Sequence, residues 1–296
     1  MRAAKPSETA KLVARSIALA AKDRQLAVLV NQLAADLSST ISSVGGGWFS
    51  MARRCGWMRW MFFRFMDFMV PGIVLHYILR KRGIEAEVRK SLATGAAQVA
   101  VLGAGYDLLA WMLHEEFPEV NFIEFDHPAT QAPKRSALPE SRNFHYGEID
   151  LEKEAFGEVA SSCPHFNKGV PTVFIAEGLT MYLREGRVAE LLADFSRLSG
   201  DTGRVIFTFM EKDQDGSIDF RDQRRGVGTW LRWRSEPFLW GIRREDLSGF
   251  LELSSLGNIE VADDARLRAQ FLTPLGLGDL RIARGECLCY CSPTHR

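Results

Sequence analysis

Between residues 98 and 209 the chain repeats one pattern, in which a short apolar run is followed by a break and then by a stretch of helical period. The apolar runs are too short for helices and suit strands that are buried on both faces. Strands that alternate with helices at this spacing predict a parallel sheet covered by helices on both sides. The predicted strands are Gln98–Leu102, Asn121–Asp126, 171–177 and 203–209, and helices are predicted at 108–116 and 188–198.

The first 95 residues lack this alternation and predict helices. Apolar residues recur at helical spacing over 7–37, and the block 48–77 is rich in aromatic residues and methionine. Arg59, Arg64 and Asp67 interrupt that block, so a spanning helix would bury charges. We therefore expect no membrane span, and we leave open whether the block is cap, core or a membrane-associated helix. We expect a helical cap at 1–95 and an α/β core at 96–296, with a lid insertion at about 211–245.

Composition narrows the class of protein. Lys+Arg and Asp+Glu both number 37, so the formal net charge is zero and gives no general attraction to nucleic acid. The N-terminus has no signal-peptide pattern. None of the five cysteines forms a CxxC pair, and Cys287, Cys289 and Cys291 alternate along an apolar run. We favour buried thiols in a reducing compartment over a zinc site, and we expect a cytoplasmic protein without a bound metal.

A glycine-rich turn follows the first predicted strand. Gly103-Ala104-Gly105 lets the backbone turn sharply and approach a ligand closely. Leu108 stands where a dinucleotide-binding motif has its third glycine. The turn is compatible with a nucleoside ligand, but a nicotinamide-dependent oxidoreductase is disfavoured because the pyrophosphate site is incomplete.

Acidic residues follow the other strands, where ligands of open α/β sheets bind. Glu124 and Asp126 end the second strand on one face, so one can accept hydrogen bonds from ribose hydroxyls while the other supports it. Asp150 and Leu151 follow a third strand and can flank an adenine ring. Glu177 ends the central strand, where a buried carboxylate needs a cationic partner, which is either an ammonium or sulfonium group of a ligand or an arginine of the cap. Together these acids point to S-adenosylmethionine (SAM).

In three ordered blocks over roughly residues 75–210, the chain resembles the leucine carboxyl methyltransferase family, which also includes bacterial polyketide O-methyltransferases. The blocks are QVAVLGAGYD at 98–107, FIEFDHP at 122–128 and IAEGLTMYL at 175–183. The resemblance implies a Rossmann-like class I methyltransferase fold with a mostly parallel seven-stranded sheet. The chain departs from the family at Leu108-Leu109, where threonine and arginine are common.

The resemblance also implies roles for single residues. Gly103, with its neighbours Ala104 and Gly105, would contact SAM through the backbone, and Asp126 would hold the ribose. Asp150 and Leu151 would flank the adenine, and Glu177 would meet the methionyl end. An arginine on the helix before the glycine-rich turn would bind the SAM carboxylate; Arg80 is the best match and Arg82 the fallback.

The methyl acceptor is less constrained. Tyr182, His76 and His127 are candidate general bases, and we select Tyr182 as the catalytic candidate. The predicted lid carries Trp230, Trp233 and Arg234, which suit a flat or anionic small molecule and, with Tyr182, are the expected substrate contacts. We expect O-methylation of a small-molecule hydroxyl or carboxylate. The alternatives are N-methylation of a small heterocycle and a catalytically silent binding module.

Overall fold

The computed structural model describes residues 7–42, 47–234 and 236–294, and its centre is a seven-stranded sheet in the order β3-β2-β1-β4-β5-β7-β6. Every neighbouring pair from β3 to β5 is parallel, and β7 runs antiparallel to both β5 and β6. The predicted strands and the predicted fold class are confirmed. The strands are β1 Gln98–Leu102, β2 Asn121–Asp126, β3 Phe144–Glu148, β4 Thr172–Ala176, β5 Arg204–Met210, β6 Leu256–Ala262 and β7 Glu286–Pro293.

Twelve α-helices surround the sheet in the described part of the chain. The single helix expected over 7–37 is divided in two, with a 3-10 turn at Ala27–Leu29 between the parts. The break predicted around the glycines at 45 and 46 lies outside the described residues. The helices are α1 Glu8–Ala20, α2 Gln32–Ser42, α3 Gly47–Arg54, α4 Gly56–Met69, α5 Ile73–Ala93, α6 Leu109–Glu116, α7 Pro128–Ala137, α8 Phe156–Ser162, α9 Glu185–Leu198, α10 Gly226–Arg234, α11 Leu247–Glu252 and α12 Asp264–Leu267.

Alternation along the strands divides the core into two layers. Val99 and Val101 of β1 face the layer that contains α5, whereas Ala100 and Leu102 face the layer that contains α8 and α9. The three alternating cysteines of β7 share the second layer and are buried there as free thiols. Among the described residues no group of three or more His, Cys, Asp or Glu side chains could hold a metal ion.

The α4–α5 corner orients the helices that precede the sheet. Gly72 has φ +78°, and a Cβ there would lie 2.5 Å from the carbonyl oxygen of Arg281, so only glycine fits this bend. Past the bend, every residue from Ile73 to Arg80 is buried. In the part of the chain that the structure describes, no single helix is long and apolar enough to cross a membrane; α4 and α5 pass that test only as a pair bent by 88°.

Candidate active site

A cavity of about 900 Å³ lies at the carboxyl ends of β1, β2 and β4, where the strand order changes direction. Its floor includes Gly103, Asp126 and Glu177 from the three strand ends. Side chains of α1, α3, α4 and α5 form much of the remaining wall, and the segment between β5 and α11 contributes Trp230. Most of the wall is apolar, so the charged groups gather at the strand ends.

The glycine-rich turn adopts a backbone that other residues rarely adopt. Gly103 has φ +63° and Gly105 has φ +53°. A Cβ on Gly103 would lie 3.0 Å from Cδ1 of Leu179, and one on Gly105 would lie 3.2 Å from Cβ of Ala10. The missing side chains therefore shape the floor of the cavity, and Ala104 between them also lines it.

Asp126 is fixed by two backbone donors. Its carboxylate accepts hydrogen bonds from the amides of Gly105, at 2.5 Å, and His127, at 2.6 Å. Burial raises the pKa of Asp126 although both of these hydrogen bonds oppose the shift. The carboxylate thus joins the glycine-rich turn to the end of β2 and still lines the cavity.

Glu124 points away from the cavity into a buried ion pair. Nζ of Lys134, on α7, lies 2.5 Å from Oε2 of Glu124, and both side chains are almost completely buried. Lys134 also donates to the carbonyl oxygen of Asp107 in the glycine-rich block. Burial outweighs the attraction of Lys134 and raises the pKa of Glu124 to about 7. Glu124 therefore does not line the cavity, and it supports the glycine-rich block through Lys134.

Arg80 joins two carboxylates at the other end of the floor. Nε donates to Glu177 at 2.9 Å, and Nη1 donates to both oxygens of Glu286 at 2.8 and 2.6 Å. Burial alone would raise the pKa of Glu286, but Arg80 and His76 outweigh it and lower the value to about 2. Arg80 lines the cavity, yet its guanidinium is already shared between these two acids.

Lys81 supplies a second cation beside Arg80. Its Nζ lies 3.0 Å from Asp107 and 3.1 Å from Glu177. Because Lys81 lines the cavity and a quarter of its side chain is exposed, it is the more accessible of the two cations. Arg82, the fallback for Arg80, also lines the cavity, and one of its nitrogens donates to the carbonyl oxygen of Leu29.

Asp150 and Leu151 lie beyond the residues that line the cavity. Asp150 pairs with Lys153 at 2.7 Å, and this contact lowers its pKa. Leu151 packs against the second core layer. Asp150 is nevertheless close to the end of β2. The amide of Ile149, its neighbour in the chain, donates a hydrogen bond to the carbonyl oxygen of Asp126 at 3.0 Å.

The expected acceptor contacts divide into two groups. Tyr182 and Trp230 line the cavity, and the Tyr182 ring packs 5.7 Å from that of Phe238. Trp233 is 73% exposed, and neither it nor Arg234 is among the lining residues. The Arg234 guanidinium lies 4.7 Å from the centre of the Trp233 ring.

The two histidines considered as bases have other roles in this structure. His76 is buried, with Nε2 2.8 Å from Glu286 and with Nδ1 lacking a partner among the described residues. His127 caps α7, where its Nδ1 accepts from the amide of Ala129 at 3.2 Å. Neither histidine lines the cavity.

Sequence reasoning missed three charged residues of this site. Lys81 is adjacent to Arg80 in the chain, and that adjacency was the available signal. Glu286 opens β7, an antiparallel strand whose first residue lies opposite Met210, the last residue of β5. No sequence pattern predicted that Lys134 is buried at the site, because lysines on amphipathic helices usually face solvent.

Comparison with known proteins identifies the family. A family model described as leucine carboxyl methyltransferase matches residues 12–196, more than half of the chain. The chain belongs to the leucine carboxyl methyltransferase family. The resemblance of the three sequence blocks is thereby confirmed, and the match extends through the helices that precede the sheet.

Relatives within the family cover part of the chain. A protein of Streptomyces avermitilis named as a SAM-dependent methyltransferase is 33% identical over 137 residues, which are 44% of this chain and 47% of that protein. A similarly named protein of Mycolicibacterium gilvum is 28% identical over 193 residues, or 64% of this chain and 59% of that protein. The chain spans about half the length of the first curated relatives it matches.

A solved structure supports the architecture. A protein of Thermobifida fusca, described as a methyltransferase, matches with a TM-score of 0.57 at 13% identity, covering 80% of this chain and 89% of that one. At this identity the likeness shows the fold alone. It confirms the class I methyltransferase fold expected of the family.

Proposed function

We propose that the protein is a SAM-dependent methyltransferase that methylates an oxygen atom of a small-molecule hydroxyl or carboxylate. The observation that carries the proposal is that three features lie on the floor of one cavity. They are the glycine-rich turn, the carboxylate of Asp126 held by two backbone amides, and Glu177 beside the cations of Arg80 and Lys81. Family membership and the names of the relatives support methyl transfer from SAM.

The residues at the strand ends fit SAM in the order of its parts. The space left by Gly103 and Gly105 accepts a nucleoside against bare backbone, with Ala104 between them. Asp126, held in place by the turn, would accept hydrogen bonds from the ribose hydroxyls. Asp150 and Leu151 do not line the cavity, so contact with the adenine would require a movement of this segment.

The methionyl end would meet both signs of charge. Glu177 offers a carboxylate for the ammonium group, and the adjacent Arg80 and Lys81 offer cations for the carboxylate. Because Arg80 is shared between Glu177 and Glu286, we assign Lys81 to the direct contact and Arg80 to holding Glu177 in position.

SAM supplies an activated methyl group, so the protein has mainly to align the acceptor and to exclude water. The pKa of Tyr182 is raised by burial and by the nearby Glu236 carboxylate, so its phenol stays protonated and is available as a hydrogen-bond donor rather than as the general base considered from the sequence. A donor on the cavity wall can hold an oxygen of the acceptor molecule in position, and Trp230 offers a flat ring for packing. We propose that 1–95 acts as the cap and 211–245 as the lid, with Trp233 and Arg234 contributing only if the lid moves.

Calorimetry of the purified chain with SAM and, separately, with NAD tests the cofactor. Binding of SAM but not NAD is expected, and absence of SAM binding to folded protein would support the catalytically silent alternative. Transfer of labelled methyl groups to phenols, carboxylic acids and nitrogen heterocycles then tests the acceptor. Product from heterocycles alone would replace O-methylation with N-methylation.

A further inference from the structure

The α3–α4 hairpin presents an unusual outer face. Seven side chains on the outer side of α4 are exposed, and five of them are apolar. Trp57 and Trp60 are each 62% exposed, Phe65 60% and Phe68 58%. We call this set the α4 outer face: Trp57, Trp60, Met61, Arg64, Phe65, Asp67 and Phe68.

The size of this face exceeds what an isolated surface residue would explain. Four aromatic side chains of about 200 Å² each, three-fifths exposed, present ~500 Å² of contiguous apolar surface. That area is near the upper end of what soluble monomers expose, where patches usually have a binding role. The opposite side of α4 is already used, because Met58, Phe62 and Met66 are buried in the core.

Charge distinguishes the possible occupants. The stretch 47–70 carries four arginines and one acid, Asp67, in a chain whose net charge is zero. Arg54 and Arg64 are exposed and have no acidic partner among the described residues. Just beyond α4, the Arg224 guanidinium lies over the Phe68 ring at 4.6 Å. A second copy would bring like charges together, whereas an anionic surface would complement them.

We propose that the α4 outer face docks on an anionic lipid bilayer. Tryptophan and phenylalanine beside arginine are the composition of helices that lie in the membrane interface. The helix lies in the plane and does not cross, because 14 residues extend only ~21 Å and its inner side is packed on the protein.

Docking would also place the cavity beside the lipid. Phe65 is exposed on the α4 outer face and lines the cavity. Trp48 of α3 is also exposed and also lines the cavity. The part of the cavity wall that these two side chains form would then face the interface, where apolar molecules concentrate. This consequence rests on the proposed function, but the docking itself does not.

Flotation of the full chain with phosphatidylcholine vesicles, with and without phosphatidylserine, tests the proposal. Binding is expected only with phosphatidylserine and should weaken with salt. At about 1 kcal/mol per arginine, the double variant Arg54→Gln/Arg64→Gln should bind about thirtyfold more weakly. Trp57→Ser/Trp60→Ser should lose more than tenfold, since both rings leave water on docking.

Matched controls lie far from the hairpin along the chain. Leu253→Ser alters a leucine that is 87% exposed, and Arg142→Gln removes an arginine whose side chain is 78% exposed; both should bind as the parent does. Equal loss in the controls, or unchanged binding in both double variants, would overturn the proposal. So would a dimer in ultracentrifugation that Trp57→Ser/Trp60→Ser dissociates while vesicles bind nothing.

Calorimetry with SAM separates this result from the proposed function. None of the four substituted residues of the hairpin lines the cavity, so SAM affinity should be unchanged in both double variants. Unchanged SAM affinity shows that the variants are folded. If the parent binds vesicles but not SAM, the proposed function fails and the docking surface stands.

Discussion

Replacing Gly103 by alanine tests whether the glycine-rich turn forms the nucleoside site. The residue has φ +63°, where an L-residue costs about 1–2 kcal/mol, and the new methyl would lie 3.0 Å from Leu179. Non-bonded carbon atoms ordinarily lie at least about 3.5 Å apart, so Leu179 must move by a few tenths of an ångström. Leu179 itself lines the cavity. We expect Gly103→Ala to unfold about 2–8 °C lower and to bind SAM at least tenfold more weakly.

Gly276 provides the matched control for backbone strain. Its φ is +68°, and a Cβ there would meet nothing within 4 Å. Gly276→Ala should therefore lose similar thermal stability without the close contact, and it should bind SAM normally. Thermal denaturation and calorimetry on both variants separate strain from site damage. Equal SAM affinity in Gly103→Ala and the parent would refute the assignment of the turn.

Three further predictions concern the floor and wall of the cavity. Asp126→Asn should weaken SAM binding by about 1.5–3 kcal/mol in calorimetry, since a charged acceptor is lost, and unchanged affinity would contradict the ribose assignment. Tyr182→Phe should lower kcat/KM for methyl transfer up to about tenfold with SAM affinity intact, since one hydrogen bond of about 0.5–1.5 kcal/mol to the acceptor is lost, and a loss confined to SAM affinity would argue against an acceptor contact. Glu124 has a pKa near 7 in the folded protein and an ordinary value of 4.5, so its contribution to stability is complete below pH 4.5 and is lost by about pH 7. The loss is about 3 kcal/mol in chemical unfolding, and Glu124→Gln should flatten that pH dependence.

The sequence pattern was sufficient for the five parallel strands and for the floor of the cavity, because the floor is formed where those strands end. Parallel strands bring their carboxyl ends to one edge, so Gly103, Asp126 and Glu177 could be placed together without coordinates. Glu286 escaped that reasoning because β7 is antiparallel and brings its first residue to the same edge. A residue that begins its strand cannot be found by a search of the residues that come directly after strands.

Side chains on helices were harder to place. The lid tryptophans show why, because Trp230 lines the cavity whereas Trp233, one turn further along α10, is mostly exposed. Their spacing in the sequence allowed either residue to face inward, since which side of a short helix is buried depends on how the helix docks. Lys134 gave no signal for the same reason, and its burial is explained by the Glu124 carboxylate beneath it.

We expect that the proposed cap at 1–95 cannot be separated from the core, although the sequence pattern changes at that boundary. Arg80 and Lys81 come from α5 in the cap, whereas their partners Glu177 and Glu286 come from the sheet. A fragment of residues 96–296 would lose both cations and would expose to water the apolar layer that α5 covers, including Val99, Val101 and Ile175. Burial of each such side chain contributes about 1.5–3 kcal/mol, so exposing several of them offsets the whole stability of a typical domain, about 5–15 kcal/mol. We expect the fragment to show no cooperative thermal transition in circular dichroism, with the full chain as the control. A sharp transition in the fragment would mean that these ion pairs position ligand groups without holding the fold together.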